Sequence, residues 1–72
     1  MNVGKFLHEA QIMAKVTGQR YGQACFNLLL DKSPEMAEAI RGTDRDPFYA
    51  GRDSERFRKF VEYLKEHENE QD

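Results

Sequence analysis

Asp44 and Asp46 stand two apart, on either side of Arg45 and next to Pro47. Carboxylates at that spacing can share a divalent ion, and a metal-dependent nuclease would start from such a pair. It would also need further acids, and nothing in the sequence places Glu9, Glu35 or Glu38 beside it. The plainer reading is turn chemistry, because Asp favours turns and Asp-Pro initiates them. The two histidines, His8 and His67, have no second His or Cys at ligand spacing. His67 lies between Glu66 and Glu68, where a cation would be held weakly at best, and a solvated helix end is the plainer reading. No metal and no cofactor are expected.

Cys25 is the single cysteine. A nucleophilic thiol needs a neighbouring base or a positive helix end. Cys25 instead sits in an apolar run, Ala24-Cys25-Phe26, where it should be buried and inert. One cysteine also excludes a disulfide within the chain and fits a reducing cytosol. There is no glycine-rich phosphate loop, no G-x-S-x-G and no H-E-x-x-H. The sequence therefore reads as non-enzymatic.

The remaining chemistry is cationic and aromatic. Arg41, Arg45, Arg52, Arg56, Arg58 and Lys59 surround Phe48 and Tyr49. Such a mixture can grip an anionic strand by stacking, and it is equally the composition of protein–protein hot spots. A loop with solvated charges is the bland alternative. Asp44, Asp46, Asp53 and Glu55 dilute the field, which disfavours nucleic acid. The leading expectation is a protein-binding surface of Arg45, Tyr49, Arg52 and Arg56, with an unidentified protein partner. The alternative is a nucleic-acid accessory protein using residues 41–59.

These residues depend on helices for their placement. Val3, Phe6, Leu7, Ala10, Met13 and Ala14 recur at helical spacing from Val3 to about Val16, and Gly18 suits the stop. Tyr21, Ala24, Cys25, Leu28 and Leu29 form a stripe on a second helix from about Gln19 to Asp31. Phe26 and Leu30 lie off that stripe. Gly22 costs about 1 kcal/mol there relative to Ala, which marks a close crossing or a local irregularity. A short third helix runs from Pro34 to Arg41, with Ser33 as N-cap and Gly42 as terminator. Residues 43–52 break the period at Pro47 and Gly51 and form an ordered loop. A fourth helix starts at Asp53 or Ser54, with Phe57, Phe60, Val61 and Leu64 inward and Glu55–Lys59 and Arg58–Glu62 as flanking pairs. The expected fold is all-α, three main helices and one short one. Its core is Phe6, Leu28, Leu29, Ile40, Phe57, Phe60 and Leu64. Residues 1–65 make one domain and 66–72 an acidic frayed tail.

A chain of 72 residues with 39% hydrophobic and 33% charged residues can support one small packed domain. The net charge is −2, and the halves differ: residues 1–32 carry four bases and two acids, residues 33–72 seven and eleven. A helix-turn-helix reader built on the third helix would be acidic, Glu35 and Glu38 against Arg41, which is the wrong sign for phosphates. The start, Met1-Asn2-Val3-Gly4-Lys5, leads into an amphipathic helix without a signal-peptide core, and no apolar run spans a membrane. A cytoplasmic protein is expected. Phe26, Leu30 and Ile12 lie off the main stripes, so a homodimer is one expected outcome.

Arg20-Tyr21-Gly22-Gln23-Ala24-Cys25-Phe26-Asn27, then Ile40-Arg41-Gly42-Thr43, then Asp46-Pro47-Phe48 resemble a pattern in short uncharacterised proteins of bacteriophages and prophage regions. The matching stretch covers about two-thirds of the chain, from Gln19 to the aromatic residues of the last helix. The resemblance implies a setting, the cytoplasm of a bacterial host, and no catalytic residue.

Arg20, Gln23 and Asn27 form a polar ridge on the second helix. Loop backbone groups need partners if the loop is partly buried. The expected clasp pairs Arg20 with Asp44 or Asp46 and bonds Gln23 or Asn27 to the loop backbone. Phe48 then turns inward, with Tyr49 and Arg52 outside.

Overall fold

Asn2 opens the first helix by accepting the Lys5 backbone N–H on its side-chain oxygen at 2.9 Å. The computed structural model describes residues 1–68, which form α1 (Val3–Thr17), α2 (Tyr21–Lys32), α3 (Pro34–Ile40) and α4 (Glu55–Glu66). No strand occurs among the described residues, so the fold is all-α, three longer helices and one short one. No helix among them is long and apolar enough to cross a membrane.

Gly18 closes α1 in the left-handed conformation at φ 75°, and its N–H reaches the Ala14 carbonyl. A single residue, Ser33, separates α2 from α3. It occupies the N-cap position of α3 but makes no side-chain cap bond. Its backbone N–H goes back to the Leu29 carbonyl at 2.7 Å, because Ser33 also ends α2. Ser54, rather than Asp53, caps α4 by accepting the Phe57 N–H.

The seven core residues expected from periodicity are all buried, joined by Val3, Ala10, Cys25, Phe26, Met36, Ala37 and Tyr63. α2 is the central element, packed against both α1 and α3, while α4 lies against α1. The Phe60 ring lies 6.3 Å from Phe6 and 5.8 Å from Phe57. Tyr21 joins α2 to its neighbours: its hydroxyl donates to the Leu7 carbonyl, and its ring lies 5.3 Å from Phe57.

Phe26 is not left uncovered, as its off-stripe position suggested; the loop and Arg41 cover it. Leu30 is half-buried against the core. Ile12 remains 50% exposed and Val16 79%. On α4, Arg58 bonds both Glu62 and Glu55, and Lys59 goes to Asp44 instead of Glu55. Arg58 lies within one helical turn of both glutamates, and its fork can hold two carboxylates at once.

At the chain's far end, the Glu68 carboxylate accepts the Val3 N–H at 2.9 Å, and the Met1 amine donates to the Glu68 carbonyl. An acid there complements the unpaired N–H groups and dipole of α1. His67 caps α4, half-buried, with its ring 4.4 Å from Tyr63. The rest of the expected acidic tail, residues 69–72, lies outside the described residues.

Gly22 carries the loop between α3 and α4. A β-carbon there would lie 2.1 Å from the Pro47 carbonyl oxygen and 2.9 Å from that of Ala50. The close crossing is helix against loop, not helix against helix. Both obstructing atoms are backbone, so no rotamer change relieves the clash. Gly22→Ala is expected to lose about 2–3 kcal/mol in urea unfolding, since the loop must lift. Gly4→Ala is the control, because its β-carbon meets only the Asn2 side chain, at 3.4 Å. Its stability should stay within about 0.5 kcal/mol or rise, as Ala favours helix.

Candidate functional site

Residues 41–54 run as a string of turns, which is why they break helical periodicity yet stay ordered. Backbone bonds close them in succession: Thr43 to Ile40, Asp46 to Thr43, Ala50 to Pro47 and Ser54 to Gly51. The Thr43 hydroxyl donates to the Ile40 carbonyl and accepts the Arg45 N–H. Asp46 fastens the middle: one carboxylate oxygen accepts the Gly42 N–H at 2.8 Å, the other the Phe48 N–H at 2.9 Å. Gly42 takes φ 76°, a conformation glycine adopts without penalty.

The clasp differs from the expected one in its partners. Arg20 does not pair with Asp44 or Asp46. Its Nη2 donates to the Phe48 carbonyl at 3.1 Å, and its guanidinium lies over the rings of Tyr49 at 5.2 Å and Phe48 at 5.8 Å. Asp46 is already held by N–H groups two and four residues away, and Lys59 takes Asp44 at 2.9 Å. Lys59 also holds the Asp44 carboxyl below the usual carboxylate range. The two aspartates thus face separate partners.

Among the described residues, neither Gln23 nor Asn27 bonds the loop backbone; Asn27 donates to the Gln19 side chain at 3.3 Å. The loop rests on Gly22, one position round the helix, and its own turns and the Asp46 carboxylate already engage several of its backbone groups. Pro47, not Phe48, is the fully buried loop residue. Phe48 is half-buried, edge-on to Phe26 at 6.0 Å. Tyr49 is 81% exposed, as expected, with its ring 4.8 Å from Phe48.

A groove of about 330 Å³ opens between α2 and the loop. Phe26, Leu30 and Phe48 supply its apolar surface, Asn27 and Asp46 its polar edges, and Arg41 and Tyr49 also line it. Arg41 lies 5.2 Å over Phe26 and bonds the exposed Glu38. The other arginines of the expected surface are dispersed. Arg52 lies 4.3 Å over Tyr21, Arg45 lies 5.6 Å over Tyr63, and Arg56 is exposed and joins neither stack. Guanidiniums stacked this way keep N–H donors turned to solvent.

Sequence reasoning missed the groove, Pro47 as the buried plug and Tyr63 as a core ring. A glycine inside an otherwise strong helix was the available signal for the first two, since such a glycine marks close backbone approach.

Burial pushes the Cys25 thiol up to about 12, against the opposing pull of the Tyr21 hydroxyl and of Arg52. Among the described residues, no group of three His, Cys, Asp or Glu side chains could hold a metal ion. No protein-family model, curated protein or solved structure matches the chain.

Asp46→Ala frees two backbone N–H groups and should cost about 1–2 kcal/mol, and Phe48→Ala about 2 kcal/mol, in denaturant unfolding. Tyr49→Ala should stay within about 0.5 kcal/mol of the parent, because its ring is already in water.

The folded state holds the Cys25 proton more tightly than the unfolded state. That stability is complete below the ordinary thiol range and declines as pH rises towards 12. Cys25→Ala should flatten the alkaline limb of a stability–pH curve above about pH 9, and native Cys25 should resist iodoacetamide at pH 8.

Proposed function

We propose that this is a non-enzymatic helical protein that binds and modulates another protein through the loop face around Tyr49, Arg20 and Arg52. The observation that carries the reading is Tyr49, 81% exposed on a loop whose backbone is held before it at Phe48, by Arg20 and Asp46, and after it at Ala50, which donates to the Pro47 carbonyl. A displayed aromatic ring loses little freedom on binding, and with arginine beside it this is hot-spot composition. Arg20 and Arg52 are each stacked on a ring and pre-oriented. The buried thiol of Cys25 and the separately engaged Asp44 and Asp46 support a non-catalytic role.

The resemblance of the segments from Arg20 to Phe48 to short phage and prophage proteins supplies the setting. The partner is then a host or phage protein in the bacterial cytoplasm.

The test is capture from a bacterial lysate, with the photo-reactive residue p-benzoylphenylalanine in place of Tyr49. A discrete stoichiometric partner is expected. Unlabelled wild-type protein should compete for it, and Tyr49→Ala/Arg52→Ala protein should not. Equal competition by both proteins would overturn the assignment of this face. A mobility shift of DNA or RNA that weakens steeply with salt would replace the reading with a nucleic-acid one.

A further inference from the structure

A second cavity, of about 280 Å³, lies where the start of α1 meets the end of α2. It shares no lining residue with the groove beside the loop. Asn2, Lys5 and Glu9 line it from α1 and its cap, and Lys32 and Ser33 from the end of α2. Met1 and Phe6 supply apolar surface. We infer that this cavity binds a small organic anion, a carboxylate or phosphate monoester on a body no larger than one ring. Lys5 takes the charged head, and Met1 and Phe6 meet the body.

The charge on the lining is unbalanced. Two lysines face one acid, Glu9. Glu9 lies 3.4 Å from Lys32 across the helix junction, and it makes no ion pair with Lys5, one turn before it on its own helix. A lysine placed N-terminal to a glutamate at that spacing is the weaker orientation for a helix pair. Lys5 is thus left without an ion-pair partner among the described residues. It also stands in the first turn of α1, which holds no acid, so its ammonium adds to the positive end of the helix dipole. Glu68, the acid that reaches this helix start, is held by the Val3 N–H and does not line the cavity.

The neutral groups are donors as well. The Ser33 hydroxyl makes no cap bond to α3, and the Asn2 amide keeps its NH2 group while its oxygen accepts the Lys5 N–H. The volume limits the body. A dry cavity of about 150 Å³ accepts benzene, and drug-sized ligands occupy about 300 Å³ or more. One ring or a short chain with a single charged head lies between those limits. A polymer would need a continuous basic track, which one lysine-lined cavity does not provide.

The experiment is titration of the isotope-labelled full chain, followed by two-dimensional amide NMR, with ionic strength held constant by sodium chloride. The probes are benzoate, phenyl phosphate, acetate, inorganic phosphate and the neutral benzyl alcohol. Benzoate or phenyl phosphate should give saturable shifts centred on Asn2, Lys5, Phe6, Lys32 and Ser33, and the tighter of the two identifies the head. Acetate and inorganic phosphate should bind about tenfold more weakly than their ring-bearing counterparts, since they bury no apolar body. Benzyl alcohol should bind about tenfold more weakly than benzoate. Lys5→Ala should weaken the ring-bearing anion about tenfold, and Lys5→Arg should restore it. Glu9→Gln removes the one carboxylate on the lining and should strengthen binding about threefold. Lys15→Ala, on the same helix but not on the cavity, and Tyr49→Ala, on the loop, should leave it unchanged.

Shifts that rise linearly without saturation, or that spread over the exposed lysines alike, would overturn the site in favour of a general ion atmosphere. Unchanged binding in a folded Lys5→Ala protein would overturn the assignment of the head. Benzyl alcohol binding as tightly as benzoate would overturn the anionic class and leave an apolar cavity.

Discussion

At residue 22 the backbone of a helix and the backbone of a loop lie so close that a β-carbon would fall 2.1 Å from the Pro47 carbonyl oxygen. That approach permits Pro47 to be fully buried. With Pro47 in place, Phe48 reaches Phe26, and Tyr49 is held outside on the next residue. The glycine gives up about 1 kcal/mol of helix propensity to make this possible. Its effect is to convert a fourteen-residue connection between two helices into part of the packed body.

Local satisfaction holds the loop once it is seated. Turn bonds recur every three or four residues, and Asp46 closes the central turn from both sides. Two long-range ties then fix its position: Arg20 to the Phe48 carbonyl from α2, and Lys59 to Asp44 from α4. Exposed ion pairs contribute little to stability, so the second tie matters more for where the loop lies than for how firmly the domain folds. Arg20 and Arg52 stack on rings without an ion pair among the described residues, and Arg41 does both, lying over Phe26 while it pairs with Glu38, so aromatic surface and positive charge occur at the same places.

The helices and core were legible because their signals are local and redundant. Stripe spacing, Gly18, Pro34 and Ser54 each mark a position through the conformation the residue prefers, and the structure places α1, α3 and α4 within a residue or two of those marks. The loop was legible as a loop, and Tyr49 as exposed. Its partners were not legible, because they depend on which of several equivalent groups is nearest in space. Asp46 finds backbone N–H groups four residues or fewer away before any arginine can reach it. Tyr63 fell outside the expected stripe of α4 because a tyrosine is as common at a boundary as inside; here His67 and Arg45 cover it. Phe26 suggested a free apolar patch, since periodicity within one helix cannot show that a loop will cover its second face.

Ser33 is the only residue between α2 and α3, and Pro34 fixes the next backbone angle. The helices on either side of this elbow also pack directly against each other. α2 supplies one wall of the groove, and α3 delivers Arg41 at the other, so the distance between the walls is set by the elbow and by the seat of Pro47 on Gly22. Widening the groove would break the packing on which the loop depends.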